Sequence, residues 1–237
     1  MLSLKNVSKT FAQNTKPALR SIHLELKAGD FCVILGSNGS GKSTLLKIIR
    51  GECKAFGGEM IGPGPNDIAC VTQDVNLGTV SNLSLLENMV LSCRTEKGLS
   101  FYRKKTRQIT QSLQKLNLGL ESYLGLPLAH LSGGQRQMVA MLMAVAAKPK
   151  LLLLDEHTSA LDPAMQRLVM QYTATSIQEQ QLTTIMVTHN VQDALLYGNR
   201  LLMLDKGRVV LDVSKEEKSG ISLEILLDRF HGFLGEE

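Results

Sequence analysis

The stretch Phe31-Cys32-Val33-Ile34-Leu35-Gly36-Ser37-Asn38-Gly39-Ser40-Gly41-Lys42-Ser43-Thr44-Leu45-Leu46-Lys47-Ile48-Ile49 decides the architecture. Its centre, Gly36 to Ser43, fits GxxxxGK followed by Ser or Thr, between an apolar strand-like run and a helical stretch. Strand, glycine-rich loop and helix in that order build a phosphate cradle. Glycine lets successive backbone N–H groups turn toward one anion, and the helix start adds its positive dipole end. In such a cradle Gly36, Ser37, Asn38, Gly39, Ser40, Gly41 and Thr44 surround the phosphates. Lys42 reaches the β- and γ-phosphates, and the Ser43 hydroxyl holds Mg²⁺. The expected ligand is a nucleoside triphosphate.

A second pattern lies downstream. Leu151 to Leu154 read as a buried strand that ends in Asp155-Glu156. Side chains alternate along a strand, but at its exit both carboxylates can reach the loop above it. In a phosphate-loop ATPase the first, Asp155, holds Mg²⁺ directly or through water. The second, Glu156, polarises the attacking water as general base.

Elsewhere the chain alternates between the same two characters. Leu2, Leu4 and Val7, then Ile22, Leu24 and Leu26, have near-period-two spacing and predict strands. Further strands are expected around Glu59-Met60-Ile61, over 68–73, 184–187, 201–204 and 209–211, the last two joined as a hairpin at Lys206-Gly207. From Ser81 to about Lys148 the pattern is helical. Ser84 and Glu87 form a capping box there, and Ile109, Leu113 and Leu116 form an apolar stripe. The expectation is an α/β protein with a helical insertion and no internal repeat.

Composition bounds the rest. At 237 residues with 43% hydrophobic and 20% charged, the chain suits one large α/β domain, or a core with a subdomain. No apolar run approaches the roughly 20 residues that span a bilayer, and Met1-Leu2-Ser3-Leu4-Lys5 does not resemble a signal peptide. Any membrane role is therefore expected through a partner. Cys32, Cys53, Cys70 and Cys93 have no CxxC spacing, which argues against a zinc site or disulfide framework and for a reducing cytoplasm. A net charge of +4 is too mild to argue for nucleic acid.

Leu131-Ser132-Gly133-Gly134-Gln135-Arg136-Gln137 adds a third motif, in order and at the right spacing. With the other two, it makes the whole chain resemble the ATP-binding cassette (ABC) ATPases, whose signature begins LSGGQ. The resemblance implies an α/β phosphate-loop (P-loop) NTPase core of ABC type with an antiparallel β subdomain and an inserted α-helical subdomain. A single domain over 1–237 is expected, with 1–80 and 149–237 as the RecA-like and β core and 81–148 as the helical part. It implies ATP and Mg²⁺ as ligands, and ATP hydrolysis coupled to transport. Ser132, Gly133, Gly134 and Gln135 would close on the γ-phosphate held by a second cassette in a head-to-tail homodimer or paired dimer.

Other positions match the family's pattern. Phe11 resembles the aromatic that stacks on adenine, with a plain strand aromatic as the alternative. Gln73 resembles the Q-loop glutamine that senses Mg²⁺ and the attacking water. Asp162, in Ser159-Ala160-Leu161-Asp162, resembles the D-loop aspartate, and His189 the switch histidine at the γ-phosphate. His157 departs from the Pro or Ala common after the Asp-Glu pair, and it either tunes Glu156 or packs. The strings Asp155 to Pro163, Leu182 to Asn190 and Tyr197 to Arg200 resemble a subgroup of bacterial uptake cassettes for amino-acid-like, sometimes aromatic, solutes. That subgroup implies a permease and, indirectly, a substrate-binding protein, with the cassette on the cytoplasmic face of the inner membrane. The competing readings are a soluble ABC ATPase of DNA repair or translation, an exporter ATPase, and a nucleotide-binding module without hydrolysis.

Two features carry less. Arg94, Lys97, Arg103, Lys104, Lys105 and Arg107 read as a solvated basic helix face, with lipid headgroups or a permease loop as the alternative. Leu223, Leu226, Leu227, Phe230 and Leu234 predict a C-terminal helix packed on the domain.

Overall fold

The computed structural model describes residues 1–12, 16–93 and 99–234. Its chain opens with two antiparallel strands, β1 (Leu2–Lys9) and β2 (Leu19–Leu26). The apolar half of their period-two pattern, Leu2, Leu4, Val7, Ile22, Leu24 and Leu26, is buried. Strand β3 (Phe31–Leu35) is buried throughout and leads through the glycine loop into α1 (Lys42–Ile49). Gly51, just past the end of α1, has φ +77°, the left-handed backbone that ends helices and that glycine adopts without strain. Strand β4 (Gly57–Ile61) returns to pair with β1, giving a sheet in the order β2-β1-β4.

Strand β5 (Ile68–Thr72) carries the chain into its helical region: α2 (Leu85–Ser92), α3 (Leu99–Gln114) and α4 (Gly133–Ala146). Then follow β6 (Leu151–Asp155), α5 (Pro163–Gln180), β7 (Thr184–Thr188) and α6 (Val191–Leu196). The chain continues through β8 (Arg200–Asp205), β9 (Arg208–Val213), α7 (Lys215–Lys218) and α8 (Leu223–Leu234). Strands β8 and β9 form the expected hairpin, with Lys206 and Gly207 both at positive φ, as a tight primed turn requires.

The chain divides into two compact units. The first comprises Met1–Ile68, Lys150–Glu156 and Ser176–Glu237. Within it the strands run in the order β6-β7-β3-β8-β9, parallel from β6 to β8. Leu35 is level with Thr188, and Asp155 with Val187. Parallel strands share one carboxyl edge, so three segments far apart in sequence leave the sheet side by side: Gly36 onward, Asp155-Glu156 and Thr188-His189.

The second unit comprises Ala69–Pro149 and His157–Thr175. Its core joins Leu85, Met89, Leu113, Leu120, Leu128, Met138 and Leu142. The Ser84–Glu87 capping box predicted for α2 is present, with the Glu87 N–H donating to Ser84 Oγ at 3.2 Å and the Ser84 N–H to Glu87 Oε2 at 2.8 Å. The helical region expected over 81–148 lies inside this unit, which also takes the first part of α5. The reason is packing: Leu161, Met165, Leu168, Val169 and Tyr172 all face the same apolar cluster. Of the expected basic helix face, Arg94 and Lys97 lie outside the described residues, as do the side chains of Arg103 and of Leu234 in α8. Leu226 is buried, as the stripe on α8 predicts.

Candidate functional site

The loop between β3 and α1 is shaped by its glycines in two different ways. Gly41, at φ +107°, sits against the start of β2, where a β-carbon would lie 2.6 Å from the Ala18 carbonyl oxygen. Gly39, at φ +80°, faces open space instead. It lines a cavity of about 310 Å³ together with Ala18, Asn38, Gly41, Lys42, Ser43, Thr44 and Glu156. The Lys42 ammonium is buried and donates to the carbonyls of Gly36 at 2.7 Å and Ser37 at 2.8 Å. Burial holds its pKa below the ordinary lysine value, against the pull of Glu156 and Asp155. Ser40 Oγ is buried without a hydrogen-bond partner.

Across the cavity stands the exit of β6. Glu156 has φ +48°, a left-handed backbone that a non-glycine residue adopts only when its surroundings impose it. That twist breaks strand alternation. It places Glu156 Oε1 3.8 Å from Lys42 Nζ and Oε2 3.2 Å from His189 Nδ1. Asp155 has its pKa raised, first by burial and then by the Glu156 charge, with Lys42, Arg50 and Lys47 opposing. Lys47 and Arg50 lie on or just past α1 and escaped the motif reading, although basic residues one turn apart behind a phosphate loop were a readable signal. Ala18 left no signal, since an alanine between strands is unremarkable.

His189 follows β7 directly. The Thr188 hydroxyl oxygen accepts from the Asn190 N–H at 3.0 Å, and Asn190 Oδ1 caps α6 by accepting from the Gln192 and Asp193 N–H groups. Within the first unit, the fold thus brings together Lys42, Glu156 and His189, with Asp155 and the loop beside them. Phe11, in the same unit, is partly exposed, and the Lys9 ammonium lies 5.2 Å from its ring centroid.

The other predicted residues belong to the second unit. Gln73 is exposed just past β5, where the Thr72 carbonyl accepts from Gln137 Nε2 at 3.1 Å. Ser132 caps α4 with a second capping box: its Oγ accepts from the Gln135 N–H at 3.2 Å, and Gln135 Oε1 accepts from the Ser132 N–H at 2.9 Å. Gly133 faces open space, whereas a β-carbon on Gly134 would sit 2.5 Å from Met165 Cγ. One glycine thus leaves room in front of the helix and the other permits helix packing. Asp162 caps α5, its Oδ1 accepting from the N–H groups of Ala164 and Met165 at 3.1 Å.

His157 is resolved by burial. It is 3% exposed, its Nε2 lies 3.4 Å from the Thr173 hydroxyl oxygen, and that hydroxyl donates to the Val169 carbonyl. Burial lowers its pKa to about 4, so it packs as a neutral ring. The unfolded chain therefore binds one more proton between pH 6.5 and 4. The contribution of this ring is complete above pH 6.5 and is lost as pH falls through the folded value, about 3 kcal/mol in all. We expect the stability difference between the native chain and His157→Gln to narrow by about that amount from pH 7 to 4. Denaturant titrations at stepped pH check it, and a constant difference counts against it.

The groups present fit a nucleoside triphosphate with its magnesium ion. An open glycine, the Ser43 residue at the helix start and a desolvated ammonium line one cavity. Ser43 and Asp155 supply hard oxygen donors of the kind Mg²⁺ takes alongside phosphate oxygens. Among the described residues no cluster of three or more His, Cys, Asp or Glu could hold a metal by itself. Mg²⁺ does not need such a cage, because substrate phosphates complete its shell.

Residues 19–159 match the model of the ABC transporter family. The chain is 39% identical to the tyrosine transport ATP-binding protein of Clostridioides difficile (strain R20291), over 97% of this chain and 98% of that one. It is 32% identical to the methionine import ATP-binding protein of Caulobacter vibrioides, over 92% of this chain and 68% of that one. Among solved structures it is similar to a dimeric, post-hydrolysis ATP-binding cassette bound to ADP and Pi. That match has a TM-score of 0.74 and 30% identity, over 91% of this chain and 99% of the other.

Proposed function

The chain belongs to the ABC transporter family and is an ATPase of that family, and from this premise we propose that it energises bacterial uptake of amino-acid-like solutes, aromatic amino acids among them. The observation that carries the hydrolytic part is the placement of Glu156 at the mouth of the phosphate-loop cavity, between Lys42 and His189. The similarity to a tyrosine transport subunit over nearly the full length of both chains supports the solute class. The similarity to transport subunits also favours this reading over a soluble repair or translation ATPase.

In this reading Lys42 and the backbone of Gly36 to Ser43 bind and orient the triphosphate, and Phe11 stacks on the base. Asp155 and Ser43 would hold Mg²⁺, which when bound would neutralise charge developing on the phosphates. Glu156 accepts a proton from the attacking water, and His189 orients that carboxylate and contacts the γ-phosphate. Ser132 to Gln135, with Asp162, complete the site of a second cassette, so two copies pair head to tail; similarity to cassettes that are dimeric supports the pairing. Among the described residues no helix is long and apolar enough to cross a membrane. In this reading a permease subunit tethers the cassette peripherally at the cytoplasmic face, and a substrate-binding protein delivers the solute, which the similarity to transport and import ATP-binding proteins supports.

Uptake of labelled tyrosine, tryptophan, methionine and sulfate, compared in cells with and without the gene, tests the proposal. Loss of aromatic uptake alone is expected. Unchanged uptake of both aromatic amino acids overturns the solute assignment.

A further inference from the structure

Lys218 is a buried ammonium that the chemistry above does not use. It is 7% exposed, on α7, and its Nζ donates to the carbonyls of Tyr197 and Gly198, the latter at 3.0 Å. Burial lowers its pKa to about 8, a measure of how far it is withdrawn from water. Those carbonyls lie at the C-terminal end of α6, where orphan carbonyl groups and the negative end of the helix dipole favour a cation. The N-terminal end of the same two-turn helix begins two residues after His189.

The switch segment is thus held at both ends. At its start, Asn190 caps α6 and Thr188 accepts from the Asn190 N–H. At its end, Lys218 binds Tyr197 and Gly198, and Asn199 exchanges hydrogen bonds with the backbone of Phe31 at 2.9 and 2.8 Å. Between the ends, Ala194 is fully buried. His189 is half exposed, and its contact with Glu156 spans 3.2 Å, so its placement depends on where the backbone of α6 sits. A shift of about an ångström there would break the contact.

We infer that Lys218 is a positioning residue for ATP hydrolysis: by anchoring the far end of α6, it holds His189 against Glu156. The inference rests on the role proposed for His189. It also makes the C-terminal helices part of the catalytic apparatus, because α7 presents the ammonium.

The test uses the full-length chain, with ATP turnover and fluorescent-nucleotide affinity measured for Lys218→Met, Lys218→Arg, His189→Ala and the Met/Ala double variant. Lys218→Met is expected to lower kcat by about tenfold with nucleotide Kd within about twofold, and Lys218→Arg to recover most of the loss. In the His189→Ala background, Lys218→Met should add no further loss, since coupled residues are non-additive. Turnover within about twofold of native in Lys218→Met, or an undiminished further loss in the double variant, overturns the inference. If Lys218→Met does not fold, Lys218→Gln is read by the same criteria. Native turnover in His189→Ala alone would instead overturn the role of His189.

Discussion

Glu156→Gln is expected to lower ATP turnover by about a thousandfold, the range of a lost general base, while ATP binding stays within about threefold of native. Glutamine keeps the size of the side chain and a hydrogen-bonding carbonyl oxygen, so the backbone at φ +48° and the cavity wall persist. What disappears is the negative charge beside Lys42 and His189 that draws a proton from water. Lys42 also loses its nearest carboxylate, which favours the triphosphate as a replacement anion. With binding intact and hydrolysis blocked, the variant should accumulate as an ATP-bound dimer. Single-turnover kinetics and light scattering with ATP and magnesium measure both effects. Turnover within tenfold of native would remove Glu156 from the base role.

Lys42→Met should act on the other side of the equilibrium and weaken ATP binding by about a hundredfold, the equivalent of 2–3 kcal/mol for a lost charge-assisted contact. The Lys42 ammonium is withdrawn from water and held by two carbonyls, so it is pre-oriented and little further ordering is needed when a phosphate arrives. Methionine fills the volume but leaves the Gly36 and Ser37 carbonyls without a donor and the cavity without its cation. Lys42→Arg should not restore affinity, because its longer, planar head would occupy cavity space that the phosphates need. Calorimetric titration with a slowly hydrolysed ATP analogue checks it. Affinity within about threefold of native would mean that the loop backbone alone carries the phosphates.

Much of the site was legible because its parts are local. The phosphate loop needs only a strand, glycines at positive φ and a helix, all within Phe31 to Ile49. The capping box at Ser84 is equally local, closed over three residues; the one at Ser132 is as local but went unread. Residues whose meaning depends on distant neighbours were harder to read. His157 left two readings open from its position beside Glu156, and only its burial against Thr173 chose between them. Gly134 reads as part of a segment that closes on a γ-phosphate, yet its missing side chain also makes room for Met165. Nothing local marks Lys218 within its Lys-Glu-Glu-Lys run, and only the fold shows its ammonium on the end of α6.

The order of motifs along the chain, by itself, determined the class of protein, the phosphate cradle and the two carboxylates after Leu154, because each is written in contiguous residues with short-range geometry. The tertiary structure alone decided that Lys42, Glu156 and His189 meet. Their segments are joined by crossovers of many residues, and the parallel order β6-β7-β3 sets them level at one edge of the sheet. It also decided that Glu156 leaves its strand with a left-handed twist, a conformation no local propensity of glutamate favours and the surrounding packing imposes.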